Sequence, residues 1–156
     1  MVSVNIKTRE VPSSGASDFQ GWCPPQQGFL KVNVDAAFLA GRAASAMVVH
    51  NDQGNLLYLA SKLYECISPF TAEVEALGWA IEYADQCGWR RVEWETDAKE
   101  EWKVNWRSRR CNMVANAGAM LSLSTEWPFV FDEFNVNLIP PCILNSLLAE
   151  QAVAAV

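Results

Sequence analysis

The stretch Arg90-Arg91-Val92-Glu93-Trp94-Glu95-Thr96-Asp97-Ala98 constrains the fold more than any other part of the chain. Val92, Trp94 and Thr96 alternate with Glu93, Glu95 and Asp97, the period of a strand with one apolar and one acidic face. Three carboxylates on one strand face repel each other, so a fold that keeps them needs solvent or a cation there. Asp97 sits where this strand gives way to a predicted helix. It is therefore read as the ligand, with Glu93 and Glu95 as solvated companions.

The rest of the layout follows from the same pattern reading. Residues 29–37 alternate as well, with Leu30, Val32, Val34 and Ala36 against Phe29, Lys31, Asn33 and Asp35. Asp35 thus lies on the polar face near that strand's C-terminal end. Residues 44–50 and 55–62 read as two further strands joined by the hairpin turn Asn51-Asp52-Gln53-Gly54. Ser68-Pro69 opens a helix, serine as N-cap and proline in the first turn, and Gly88 stops it. Ala76, Leu77, Ala80, Ile81 and Ala84 form its core stripe. Glu73 projects into that stripe, which is costly unless something pairs with it. A short helix over 98–106, a helix over 113–124, a last strand over 129–136 and an apolar helix over 142–155 complete the chain. Residues 1–27, rich in proline, glycine and serine, read as a linker or N-terminal extension that joined another module or a longer protein. Only Trp22 in that segment has much surface to bury. Residues 28–156 are expected to form one domain.

A strand–helix–strand crossover makes the first and fourth strands parallel neighbours, because a parallel pair needs such a connection. Their C-terminal ends carry Asp35 and Asp97. The crossover helix starts at the same sheet end, which brings Glu73 near both. Three acids converging there read as a divalent metal site.

Composition narrows the function classes. The net charge of -6 argues against a broadly basic nucleic-acid protein, though not against one that binds through a local patch plus a divalent cation. Such a patch is present: Lys103, Arg107, Arg109 and Arg110 are interleaved with Trp102 and Trp106. The competing reading is a solvated helix end whose two indoles pack on the core. The five cysteines, far apart and without a C-x-x-C pair, suit reduced thiols in a cytoplasmic or nuclear setting. There is no apolar run of about 18 residues and no signal-peptide layout, so no membrane partner is expected. A monomer is expected, and His50, the one histidine, is expected at the surface.

Four motifs together carry a resemblance. Trp22-x-Pro24-Pro25 with Gly28-Phe29-Leu30-Lys31-Val32-Asn33-Val34-Asp35 is similar to W-x-P-P…G-x-x-K-x-N-x-D. Val48-Val49-His50-Asn51-x-x-Gly54 resembles V-x-R-D-x-x-G, and Ser68-Pro69-x-x-Ala72-Glu73-x-x-Ala76-Leu77 resembles S-x-x-x-A-E-x-x-A-L. Val92-x-x-Glu95-x-Asp97-Ala98 is like V-x-x-E-[ST]-D-[SA]. Each is weak alone. In this order and spacing, over about residues 22–153, they resemble the RNase H type-1 domains of the plant reverse-transcriptase-related type. The resemblance implies an α/β fold of the ribonuclease H-like class, a five-stranded mixed sheet in the order 3-2-1-4-5 flanked by helices. It also implies Mg²⁺ (or Mn²⁺) held by Asp35, Glu73 and Asp97, and two-metal hydrolysis of the RNA strand of an RNA–DNA hybrid.

The sequence also departs from that pattern. Aligning Leu148-Ala149 with the L-A of the family's terminal helix places Ser146 at the fourth acidic position, a neutral and weaker ligand than a carboxylate. Glu150, one turn later, is the only nearby acid that would substitute. Leu138 and Pro141 replace the histidine and arginine of H-x-P-R, and Ala36, Ala44, Ser45 and Ala46 stand where glycines are usual. Three functions therefore compete: an Mg²⁺-dependent hybrid ribonuclease, a nucleic-acid-binding module with lost or reduced cleavage, and a protein-interaction domain.

Overall fold

A computed structural model describes residues 21–96, 105–106 and 112–154. Strands β1 (Leu30–Leu39), β2 (Arg42–His50) and β3 (Leu56–Glu65) form an antiparallel meander. Helix α1 (Pro69–Gln86) then crosses over to β4 (Val92–Thr96), which lies parallel to β1. A two-residue strand β5 (Asn105–Trp106), helix α2 (Met113–Thr125), strand β6 (Val130–Asp132), a 3-10 turn at Val136–Leu138 and helix α3 (Pro141–Ala154) follow. The sheet order is β5-β4-β1-β2-β3-β6.

The expected order 3-2-1-4-5 is contained in this sheet, and so is the parallel β1–β4 pair. Which segments occupy the edges differs from the expectation. Residues 105–106 pair with β4, where a helix over 98–106 was expected; the rest of that segment lies outside the described residues. The strand expected over 129–136 shortens to three residues and pairs antiparallel with β3 at the opposite edge. Ser61 fixes it there: its N–H donates to the Phe129 carbonyl, and its hydroxyl accepts from the Phe129 N–H. After Asp132 the chain turns away, because Asp132 and Asn135 side chains cap the Phe134 and Asp132 N–H groups in place of a ladder.

Local chemistry explains the element ends. The β1–β2 hairpin closes on Ala40-Gly41, both at positive φ, as the two-residue turn that matches strand twist demands. The Ser68 hydroxyl accepts from the Thr71 N–H and Pro69 fills the first turn of α1. On α1 the fully buried stripe is Ala72, Ala76, Ala80 and Ala84, with Leu77 and Ile81 half-buried beside it. Four alanines let the helix lie close against the sheet.

Two cores result, one on each face. Under α1 lie Val32, Val34, Met47, Val49, Val92 and Trp94. Under α2 and α3 lie Val48, Leu56, Leu59, Val114, Ala115, Ile139, Ile143 and Leu147. Helix α2 approaches β2 closely through Gly118: a Cβ there would stand 3.1 Å from the Ala46 methyl and 3.3 Å from the Phe129 ring. Gly118→Val is expected to lower stability by about 1–3 kcal/mol through overpacking, read as a shift of the urea midpoint.

The packed unit begins before residue 28. Trp22 is buried, and its indole N–H donates to the Asn33 side chain at 3.2 Å. The Gln26 and Gly28 N–H groups donate to Glu93 and Asp52. This strap covers the end of the sheet opposite Asp35. Among the described residues no helix is long and apolar enough to cross a membrane.

Candidate functional site

The alternation of β1 sends Lys31, Asn33 and Asp35 to the face covered by α2 and α3, and β4 adds Glu93 and Glu95 opposite Lys31 and Asn33. That face is polar along the β1–β4 seam and nearly dry. Lys31, Asn33, Asp35, His50 and Glu95 are all buried. At the strap end, the Lys31 ammonium lies 2.8 Å from Glu95 Oε1 and donates to the Cys23 carbonyl at 2.6 Å. Asn33 donates to Glu95 Oε2 at 3.0 Å. Glu95 is thus a buried ion-pair partner rather than a solvated companion of Asp97, because α2 and α3 cover the face that alternation assigned to solvent. Glu93, half-buried, also faces Lys31 at 4.0 Å and holds the strap through the Gln26 N–H, so it too has protein partners.

His50 is also displaced from its expected surface position. It is fully buried beside Trp22, ring centroids 4.6 Å apart, and neither ring nitrogen has a partner. Burial first, and the Lys31 charge second, push its pKa down to about 4. It is a neutral packing residue at neutral pH.

At the other end of β1 stands Asp35, 2% exposed. Its Oδ2 accepts from the Asn116 amide of α2 at 2.7 Å, and its Oδ1 from the Ala36 N–H at 2.9 Å. The register sets Val34 opposite Thr96, so the described part of β4 ends beside Asp35. Asp97 itself lies outside the described residues, as do Lys103, Arg107, Arg109 and Arg110.

Glu73 is half-buried in the first turns of α1, at the same sheet end but on the helix that covers the opposite face. Tyr64 anchors that turn: its hydroxyl donates to the Ala72 carbonyl and pairs with Ser45. Burial raises the Tyr64 pKa to about 12, with the Glu75 and Glu73 charges adding to it.

Ser146 is half-buried on α3. Its hydroxyl donates back to the Cys142 carbonyl one turn earlier, at 3.3 Å. Glu150 does not substitute. It is buried and accepts from the Val114 N–H at 3.2 Å, capping the N-terminus of α2. The usual cap residue, Asn112, is spent elsewhere: its amide donates to the Val34 carbonyl at 2.8 Å. Burial raises the Glu150 pKa to about 8; the α2 N–H groups and Lys31 pull it down, while Glu95 pushes it further up.

Among the described residues no three histidine, cysteine or acidic side chains form a metal-holding group. Asp35 and Glu73 offer the anionic hard oxygens that Mg²⁺ prefers, whereas the Ser146 hydroxyl is neutral and a weaker ligand. Pattern reading passed over Asn112 and Asn116 beside Asp35, and it weighed Glu150 as a ligand rather than as a helix cap. The i, i+4 spacing of two asparagines inside the small-residue run Met113–Thr125 and its cap was the available signal.

A family model described as reverse transcriptase-like matches residues 33–141, well over half of the chain. The chain belongs to the reverse transcriptase-like family. Its domain is RNase H-like. Among solved structures it is similar to the RNase H1 of the archaeon Halobacterium salinarum, at 16% identity over 82% of this chain and 78% of that one, TM-score 0.43. It is similar as well to the N-terminal RNase H domain of a Mycobacterium tuberculosis protein, at 17% identity over 81% and 74%, TM-score 0.41. An RNase H1 isolated from compost shares 15% identity over 83% and 77%, TM-score 0.43. No curated protein matches the chain.

Proposed function

We propose that this RNase H-like domain binds nucleic acid of the RNA–DNA hybrid or RNA class and cleaves it weakly or not at all. The observation that carries the second half is Ser146: a neutral side chain bonded to its own helix replaces the fourth carboxylate. The first half rests on family membership and on the acids kept at the sheet end, Asp35 on β1 and Glu73 on α1. Asp35, Glu73 and Asp97 would hold Mg²⁺ or Mn²⁺, which supplies Lewis-acid stabilisation of charge on a phosphate. Lys103, Arg107, Arg109 and Arg110 are the residues we assign to phosphate contacts, which makes binding fall as salt rises.

The test is a labelled RNA–DNA hybrid with Mg²⁺ or Mn²⁺ at low salt. The native chain is expected to retard the hybrid and release little product. Ser146→Asp is expected to raise cleavage by on the order of tenfold, the lower end of what tuning a metal's ligand sphere changes. Asp35→Asn added to Ser146→Asp returns cleavage to background. Absence of any binding at low salt would overturn the nucleic-acid reading. Efficient cleavage by the native chain, abolished by Asp35→Asn, would overturn the weakened-cleavage reading.

A further inference from the structure

We propose that Asn116, seated by Asn112 one turn earlier, is the positioning residue for the Asp35 carboxylate, an inference that rests on Asp35 being a cation ligand. Helix α2 is otherwise built of small and apolar residues on its sheet-facing side, with Val114, Ala115, Gly118 and Ala119 buried. A buried amide in such a helix is costly unless bonded. Asn112 is fully buried, and its carbonyl oxygen is left without a partner so that its NH₂ can reach the Val34 carbonyl. A group that leaves one buried acceptor unsatisfied to make one particular bond marks a fixed attachment.

That attachment holds α2 over the residue preceding Asp35. The backbone carbonyl of Asn112, unlike its unpartnered side-chain Oδ1, accepts the Asn116 N–H at 3.0 Å, so the two asparagines sit on one face, one turn apart. The second turn then delivers the Asn116 amide to Asp35 Oδ2. The Ala36 N–H holds Oδ1, so both carboxylate oxygens are held. The pair therefore selects one orientation of a strand-borne acid from a neighbouring helix. Partners of this kind orient a ligand without touching the cation, and losing one usually weakens metal affinity by about 10–100-fold.

The experiment titrates Mn²⁺ into the full chain and reads water-proton relaxation, with thermal unfolding in the absence of metal as the control for folding. Asn116→Leu conserves volume and removes the donor. Its Mn²⁺ affinity is expected to fall by about tenfold, with metal-free unfolding showing that the variant is fully folded at the titration temperature although the buried Asp35 has lost a donor. Asn116→Gln, which keeps the amide, is expected to recover most of the loss. Asn116→Ala serves as the loss arm if the leucine variant does not fold. Unchanged affinity on losing the amide, or equal losses with leucine and glutamine, would overturn the positioning role. Mn²⁺ binding that survives Asp35→Asn would instead overturn Asp35 as a ligand. Native protein that takes up no Mn²⁺ would overturn both.

Discussion

Replacing Lys31 with methionine is expected to destabilise the domain by about 3–5 kcal/mol, the usual cost of leaving one member of a buried ion pair behind. Lys31 is 1% exposed and Glu95 5% exposed. Their 2.8 Å contact belongs to a cluster that also ties Lys31 to the Cys23 carbonyl and sets its ammonium 5.6 Å from the Trp22 ring centroid. Methionine matches the stem of lysine but removes the charge. Glu95 would then keep its carboxylate in a dry face with its chief counter-charge gone; Glu93, the other neighbouring acid, only adds repulsion. The strap would lose its anchor at Cys23 in the same step. Urea unfolding measures the loss. Lys31→Met combined with Glu95→Leu is expected to regain most of it, since replacing both charges by apolar groups is often neutral. A single-variant loss under about 1 kcal/mol, the range of exposed pairs, would mean that water reaches the pair.

The same cluster shows where sequence patterns stop being informative. Alternation in β1 and β4 assigned Lys31, Asn33, Asp35, Glu93 and Glu95 to one face, and that assignment holds. It carries no information about what covers the face. A row of charges in a strand usually means solvent, but here α2 and α3 lie over it, and Lys31 makes burial of Glu95 tolerable. His50 was misplaced for the same reason: Trp22, from a segment with no periodicity, seals it. Features set by neighbouring residues were legible. These include the Ser68-Pro69 helix start, the Asn51–Gly54 turn and the crossover that sets β1 parallel to β4. The position of β6 was not, because Phe129 can pair at either edge by propensity, and only Ser61, far away in sequence, decides. The i, i+4 spacing of Asn112 and Asn116 says nothing by itself of what the pair touches; its meaning comes from Asn116 standing 2.7 Å from Asp35.

The domain is expected to hold a level stability from about pH 4.5 to 6.5 and then lose about 2 kcal/mol by pH 8. Two buried groups on the α2/α3 face cause this shape. His50 falls from an ordinary 6.5 to about 4 on folding, so its contribution is complete above pH 6.5 and is lost as pH falls toward 4. Glu150 rises from 4.5 to about 8, so its contribution is complete below pH 4.5 and is lost as pH rises through 8. Between 4.5 and 6.5 the unfolded chain carries one extra proton on histidine and one fewer on glutamate, so the two slopes cancel. Above 6.5 only Glu150 still titrates, and about 1.5 pH units at about 1.4 kcal/mol per unit give the alkaline loss. Urea unfolding across this range reads the profile. Glu150→Gln keeps an acceptor for the Val114 N–H without the proton and is expected to remove the alkaline decline. His50→Leu is expected to leave Glu150 unopposed, so that stability falls steadily from pH 4.5 to 8. A native profile that rises from pH 4.5 to 6.5 and stays level from 6.5 to 8 would show that Glu150 caps α2 as a carboxylate, with the helix N-terminus outweighing its burial.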